Sequence, residues 1–357
     1  MSGTLDRRAF VRLAGLAGLG LLGACRPAES SAPASSGEAS PAGQTAARPE
    51  PRKVKMGFSG LFDITKLAYP VAISRLREEG VEIEPIFMDS AVVTFKSLIA
   101  GELDLAEGAV AAAIQANQAN QGTGDRLRVF AAMNPLTDYV IVTVPEITSI
   151  QGLIGRRFGV ARLGSISHFV PQVVLQRSGL DPNAVEWIAV GGTAARRAAM
   201  YSGAIVGGVM HVEEALLAQK DGYNIIFEAA TVMPEYIANG LVAKDSFVRD
   251  NPALINQITY AMIDAARWIM ENRDAALAVA QQQSGGEADL ALLSTAYDTM
   301  VRIRGWGVNG GLTAENMTAT MQEELEMKTI EQPMPWEEWA TLEYVNRYLA
   351  EKGTYQK

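Results

Sequence analysis

Leu98-Ile99-Ala100-Gly101-Glu102-Leu103-Asp104-Leu105-Ala106 steps from the end of a helix into a strand. Gly101 falls where the helix must stop, because glycine best tolerates the left-handed conformation that closes a helix. Working outward from this step, short apolar runs alternate with amphipathic stretches at helical spacing. Strands are expected at 54–58, 81–87, 103–106, 127–133 and 139–144, with helices at 66–79, 92–100 and 110–120 between them. Such alternation indicates an α/β unit with a largely parallel sheet.

A second series follows Pro145. Strands at 157–160, 185–190, 205–210 and 223–227 alternate with helices at 167–178, 194–202 and 213–220. The chain then returns through a strand-like stretch at 236–242 and continues almost entirely as helix. Asn251-Pro252 opens the longest helix, with Ile255, Ile258, Met262, Ala265, Ala266 and Ile269 on one face. Two βα series and a length of 357 residues suggest two lobes rather than one core.

The N-terminus reads as an export address. Arg7-Arg8 and Phe10 precede an apolar run of 12 residues from Leu13 to Ala24, well short of the ~20 that span a membrane. A basic front, a short apolar stretch and small residues before a cut point describe a signal peptide. The paired arginines resemble the twin-arginine signal. Leu22-Gly23-Ala24-Cys25 resembles the bacterial lipobox, which implies lipidation of Cys25, the only cysteine of the chain. A single cysteine forms no internal disulfide. Residues 25–50 are rich in Ala, Ser and Pro without hydrophobic period, the composition of a flexible tether. The net charge of −9 provides no basic stripe for nucleic acid.

Four further stretches carry a resemblance together with the opening one. They are Gln176-Arg177-Ser178-Gly179-Leu180-Asp181-Pro182, Ala198-Ala199-Met200-Tyr201-Ser202-Gly203-Ala204-Ile205, Gly222-Tyr223 and Leu241-Val242-Ala243-Lys244 followed by Phe247, Asn251 and Pro252. In this order the chain, from about 53 to 283, resembles the ABC transporter periplasmic substrate-binding proteins of the nitrate, sulfonate, taurine and pyrimidine-precursor-binding family. The resemblance implies an α/β fold of two lobes, the type II periplasmic binding protein fold, each lobe a mainly parallel sheet flanked by helices, with a helical C-terminal extension. On this basis 1–24 is the signal, 25–50 the tether, 51–144 with 236–357 lobe one and 145–235 lobe two. The joins are expected near 143–147 and 233–238.

Ligands of open α/β sheets bind beyond the carboxyl ends of the strands, and the resemblance implies a small molecule held between the lobes. The candidates in lobe one are Ser59, Gly60, Leu61, Phe62, Ser90, Ala91, Glu107, Gly108 and Asn134. In lobe two they are Arg162, Ser165, Ser167, His168, Thr193, His211 and Glu213, with Tyr236 near the return crossover. His168 and His211, the only two histidines, either contact ligand or cap helices. Ser165 and Ser167 are N-cap residues first. Glu107 reads as a solvated glutamate complementing a helix dipole, or as a carboxylate that repels an anion. Arg162 is the expected cleft cation, whereas Arg196 and Arg197 are expected on a helix surface. Trp336 and Trp339 either pack the last helix onto lobe one or mark a contact with another protein.

The resemblance implies an extracytoplasmic, membrane-anchored lipoprotein that delivers a small organic molecule to an ABC permease. An aromatic or heteroaromatic ligand, or a small organic anion, would suit Phe62, His168, His211 and Tyr236. Catalysis is not expected: the sequence holds no GxSxG, HExxH or phosphate loop, and no cofactor or metal site is read from it. A ligand-sensing adaptor for a membrane receptor, and a pyrimidine-synthase-like enzyme, are the alternatives.

Overall fold

The computed structural model describes residues 51–120, 124–286 and 288–356. The signal, Cys25 and the tether, at 1–50, lie outside the described residues. Within the unit Pro49–Lys357 the chain builds two five-stranded sheets.

The first sheet takes β1 (Arg52–Ser59), β2 (Val81–Met88), β3 (Leu105–Ala109) and β4 (Leu127–Asn134), with helices α1 (Ala68–Glu78), α2 (Ala91–Ala100) and α3 (Val110–Ala119) between them. The second takes β5 (Val140–Thr143), β6 (Arg157–Val160), β7 (Glu186–Ala189), β8 (Gly207–Met210) and β9 (Asn224–Glu228). Helices α4 (Ile166–Arg177), α5 (Thr193–Tyr201) and α6 (Val212–Lys220) connect the strands from β6 to β9. The chain then re-enters the first sheet as β10 (Asn239–Lys244). The spatial orders are β2-β1-β3-β10-β4 and β7-β6-β8-β5-β9.

Each sheet is mixed, and each contains one reversed strand. β10 is antiparallel to β3 and β4, and β5 is antiparallel to β8 and β9. The reversed strand is in both cases the one on which the chain arrives from the other lobe. This placement corrects the lobe boundary read from the sequence. β5 belongs to the second sheet, so the first crossover is 135–139, upstream of 143–147. Two apolar runs separated by a few turn residues have the same pattern whether they pair or part, which is why periodicity does not distinguish the cases.

Local chemistry explains the element ends. Gly101 closes α2 at φ +80° and Gly203 follows α5 at φ +76°, the left-handed positions where a side chain is disfavoured. Asp181 caps a short turn by accepting the Asn183 N–H.

After β10 come α7 (Asp245–Asp250), α8 (Pro252–Glu271), α9 (Arg273–Gln283), α10 (Leu290–Arg302), α11 (Ala314–Glu326) and α12 (Glu343–Lys352). All six apolar residues assigned to one face of α8 are buried, in the core shared with α1 and the first sheet. Trp339 is fully buried in the core on the other face of that sheet. Beside it the backbone pairs with β4: Val129 N–H donates to the Trp339 carbonyl and Thr341 N–H to that of Val129. This segment covers the open edge of β4. The C-terminal helices also reach the second lobe. α10 packs on α6, and Val212 shares the core of the first lobe.

Candidate functional site

The carboxyl ends of β1, β3 and β4 meet the start of α6 at the boundary between the lobes. Ser59 ends β1; its hydroxyl donates to the Glu107 carbonyl at 2.9 Å and its N–H to Glu107 Oε2 at 3.2 Å. Gly108 is required by this approach, since a Cβ there would lie 2.5 Å from Ser59 Oγ and 3.0 Å from the Ala91 Cβ. Glu107 is 1% exposed. Burial pushes its carboxyl up, against the lowering influence of Lys66.

Beyond β1 the chain makes a short 3-10 turn, Ile64–Lys66, capped by Asp63. Asp63 accepts from Thr65 N–H at 3.0 Å and pairs with Lys66 Nζ at 3.0 Å. Burial works against both charges, yet each stabilises the other. Asp63 is held at about 2, and Lys66 is raised above the ordinary lysine range with further help from Glu107. Asn134 braces the turn, with Nδ2 donating to the Thr65 and Gly305 carbonyls at 3.0 and 3.2 Å. Trp306 Nε1 donates to the Ile64 carbonyl at 3.3 Å. The C-terminal extension thus positions the turn.

The second lobe presents His211 and Glu213 from the start of α6. His211 Nδ1 lies 2.7 Å from Asp138 Oδ1, and its ring packs on Tyr139 at 4.5 Å. The other oxygen of Asp138 accepts from Val212 N–H at 3.1 Å. Burial disfavours the imidazolium, but the Asp138 charge outweighs it and raises His211. The Glu213 carboxyl crosses to the first lobe and accepts the Ile64 N–H. Burial, with Asp63 nearby, pushes Glu213 up to about 8. Among the described residues no group of three His, Cys, Asp or Glu side chains is arranged to hold a metal ion.

Of the residues singled out in the sequence, Ser59, Ala91, Glu107, Gly108, Asn134, His211 and Glu213 fall within or against this constellation. Gly60 takes φ +78° and bonds to the Met88 carbonyl, Leu61 is 78% exposed, and Phe62 packs on the first-lobe core. Ser90 and Ser165 stand at the N-caps of α2 and α4, but neither side chain makes the capping bond. Ser165 Oγ donates instead to the Arg162 carbonyl, and Ser167 Oγ accepts from Ala161 N–H. His168 Nδ1 accepts from Gly164 N–H, and its ring meets the edge of Trp187. His168 lines a separate surface cavity of about 360 Å³ with Gln115, Gln172 and Lys328. Tyr236 is buried, stacked on Phe169, and its hydroxyl donates to Glu324 at 2.7 Å.

Arg162, expected as the cleft cation, is exposed. Two expectations about charge are corrected. Arg196 is 1% exposed, because its guanidinium ties the Val209 and Gly191 carbonyls to Thr193 Oγ1. Glu107 is buried rather than solvated, since it belongs to the central strand β3 and not to the helix that follows. Sequence reasoning missed Asp63, Lys66, Tyr69, Asp138 and Tyr139. Asp63-Ile64-Thr65 carried an Asx-turn signal that marks a cap, but nothing in it marks burial.

The sequence profile of the NMT1-like family matches residues 47–283, about two-thirds of the chain. The chain belongs to the NMT1-like family. No curated protein matches it by sequence. This NMT1-like protein shares its fold with the alkanesulfonate-binding protein SsuA of Xanthomonas axonopodis pv. citri bound to MOPS, at TM-score 0.68 and 15% identity, over 82% of this chain and 100% of that one. The periplasmic nitrate-binding protein NrtA of Synechocystis PCC 6803 aligns at TM-score 0.69 and 12% identity, over 85% and 90%. A DszB variant in complex with biphenyl-2-sulfinic acid aligns at TM-score 0.62 and 15% identity, over 84% and 99%. The periplasmic binding protein fold expected from the sequence is the one observed.

Proposed function

We propose that this NMT1-like protein is an extracytoplasmic solute-binding lipoprotein that holds a small organic molecule between its lobes and delivers it to an ABC importer. The observation that carries the reading is a set of buried and half-buried titratable side chains contributed by both lobes, at the carboxyl ends of their strands. Such a set is costly to bury, and the positions are those where open α/β sheets take ligands. The solute-binding character of structural neighbours such as SsuA and NrtA supports it.

The hinge segments are the crossovers 135–139 and 229–238. A ligand contacting both lobes favours the closed arrangement by its differential affinity. Attachment would run through Cys25, and no helix among the described residues is long and apolar enough to cross a membrane. The cluster is taken as binding groups rather than catalytic machinery. The test is a thermal-shift screen of the purified protein against sulfonates, nitrate, pyrimidines, aromatic acids and amines. A binder raises the unfolding midpoint by mass action; a transition unmoved by every class counts against solute capture.

A further inference from the structure

Four carboxyl groups, Asp63, Glu107, Asp138 and Glu213, meet two cationic side chains, Lys66 and His211, at the lobe boundary. Both cations are already engaged, Lys66 with Asp63 at 3.0 Å and His211 with Asp138 at 2.7 Å. Glu107 and Glu213 form no ion pair among the described residues. Each accepts one backbone N–H, from Ser59 and Ile64 respectively, and the second oxygen of each has no donor among the described residues. A carboxylate withdrawn from water without a counter-ion takes up a proton, the direction in which Glu107 and Glu213 are both shifted, or receives a positive or donor-rich group, which draws the proton off again.

Two independent observations point the same way. The hydroxyl of Tyr69, 2% exposed, has no hydrogen-bond partner among the described residues, and it lies within the influence of the Glu107 charge. Asn134, also 2% exposed, spends its Nδ2 hydrogens on the Thr65 and Gly305 carbonyls, while its Oδ1 is buried without a donor among the described residues. Asn134 Oδ1 and the free carboxyl oxygens supply acceptors, and the Tyr69 hydroxyl accepts as well as donates. An incoming oxyanion would face the four carboxyls, while Lys66 and His211, the cations at this boundary among the described residues, are already paired.

We propose that the lobe boundary takes a cationic, nitrogen-bearing solute, whose N–H donors are accepted by Glu107 from the first lobe and Glu213 from the second. The inference rests on the solute-binding reading and sets its ligand class apart from the sulfonate and nitrate that SsuA and NrtA are named for.

The test is isothermal titration of the full chain, purified in mild detergent, with matched probes. The cations are benzylammonium, 4-(aminomethyl)pyridinium and cadaverine; benzenesulfonate and nitrate are the anions, and benzyl alcohol the neutral control. The expected result is saturable binding of at least one cation, weakened about tenfold or more in Glu107→Gln and in Glu213→Gln. Circular dichroism checks that each variant folds, and Glu213, which is only partly buried, keeps the test usable if Glu107→Gln does not fold. Cation binding unchanged in a folded Glu213→Gln overturns the inference. Binding of an anion or of benzyl alcohol with no cation bound overturns the ligand class and leaves solute capture standing. Binding of nothing in any arm overturns both.

Discussion

Glu213, in the first turn of α6, accepts the backbone N–H of Ile64 in the opposite lobe. Ile64 is held from its other side as well, its carbonyl receiving the indole N–H of Trp306. One residue of the first lobe is thereby fixed by a carboxyl from the second and a tryptophan from the C-terminal extension.

This contact has a defined pH signature. Burial first, then the Asp63 and Asp138 charges, raise Glu213 against the lowering effect of the Ile64 N–H and His211, so the folded state holds its proton up to about 8 against an ordinary value of 4.5. A raised carboxyl contributes stability that is fully present below pH 4.5 and is lost as pH rises through about 8. Replacing Glu213 with Gln should remove that component. Between those limits the variant should lose about 1–3 kcal/mol less stability than the wild type, after discounting for partial exposure. Urea titrations at a series of pH values check it; parallel curves for the two proteins would contradict it.

Asp63 has the opposite sign. Its folded carboxyl is depressed to about 2, so the stability it contributes is present above 3.8 and lost as pH falls toward 2. Asp63→Asn leaves buried Lys66 without its partner and should cost about 3 kcal/mol at neutral pH. Adding Lys66→Met should restore much of that. Equilibrium denaturation of the single and double variants measures the coupling.

Gly108→Ala should destabilise by about 1–3 kcal/mol through overpacking, because the new Cβ would lie 2.5 Å from Ser59 Oγ. Combining it with Ser59→Ala should recover part of the loss. A thermal scan in which Gly108→Ala unfolds with the wild type would show that β1 and β3 are not held as described.

Tyr236→Phe removes one donor from Glu324, which also accepts from Thr329 and Gln115. The expected cost is about 1–2 kcal/mol, with solute affinity unchanged because Tyr236 is spent on the core. A loss of affinity without loss of stability would return Tyr236 to the ligand set.

The architecture was legible because it rests on local signals. Gly101 ends α2, the stripe from Ile255 to Ile269 buries one face of α8, and strand-helix alternation marks the lobes. What was not legible depends on non-local partners. β5 looks like a neighbour of β4 until its pairing with β8 and β9 is known. Arg196 reads as a helix-surface residue, yet it is buried, because the fold brings the Val209 and Gly191 carbonyls onto its guanidinium. Lys66 opens the helix expected at 66–79, and nothing local marks it or Asp63 as buried; residues some seventy to more than two hundred positions away, Asn134, Glu213 and Trp306, enclose their turn. The strand-end rule found Glu107 and Glu213 because it follows topology, and it missed Asp138 because that residue lies in the crossover itself.

The central claim is that one small molecule sits between the lobes in contact with Glu107 and Glu213. Native mass spectrometry of the full chain, after incubation with the small-molecule fraction of a cell extract, tests it most directly. The account predicts a single adduct of one defined mass on the wild type, absent from folded Glu107→Gln and Glu213→Gln. An adduct retained in both variants, or a wild type that carries none, would contradict it.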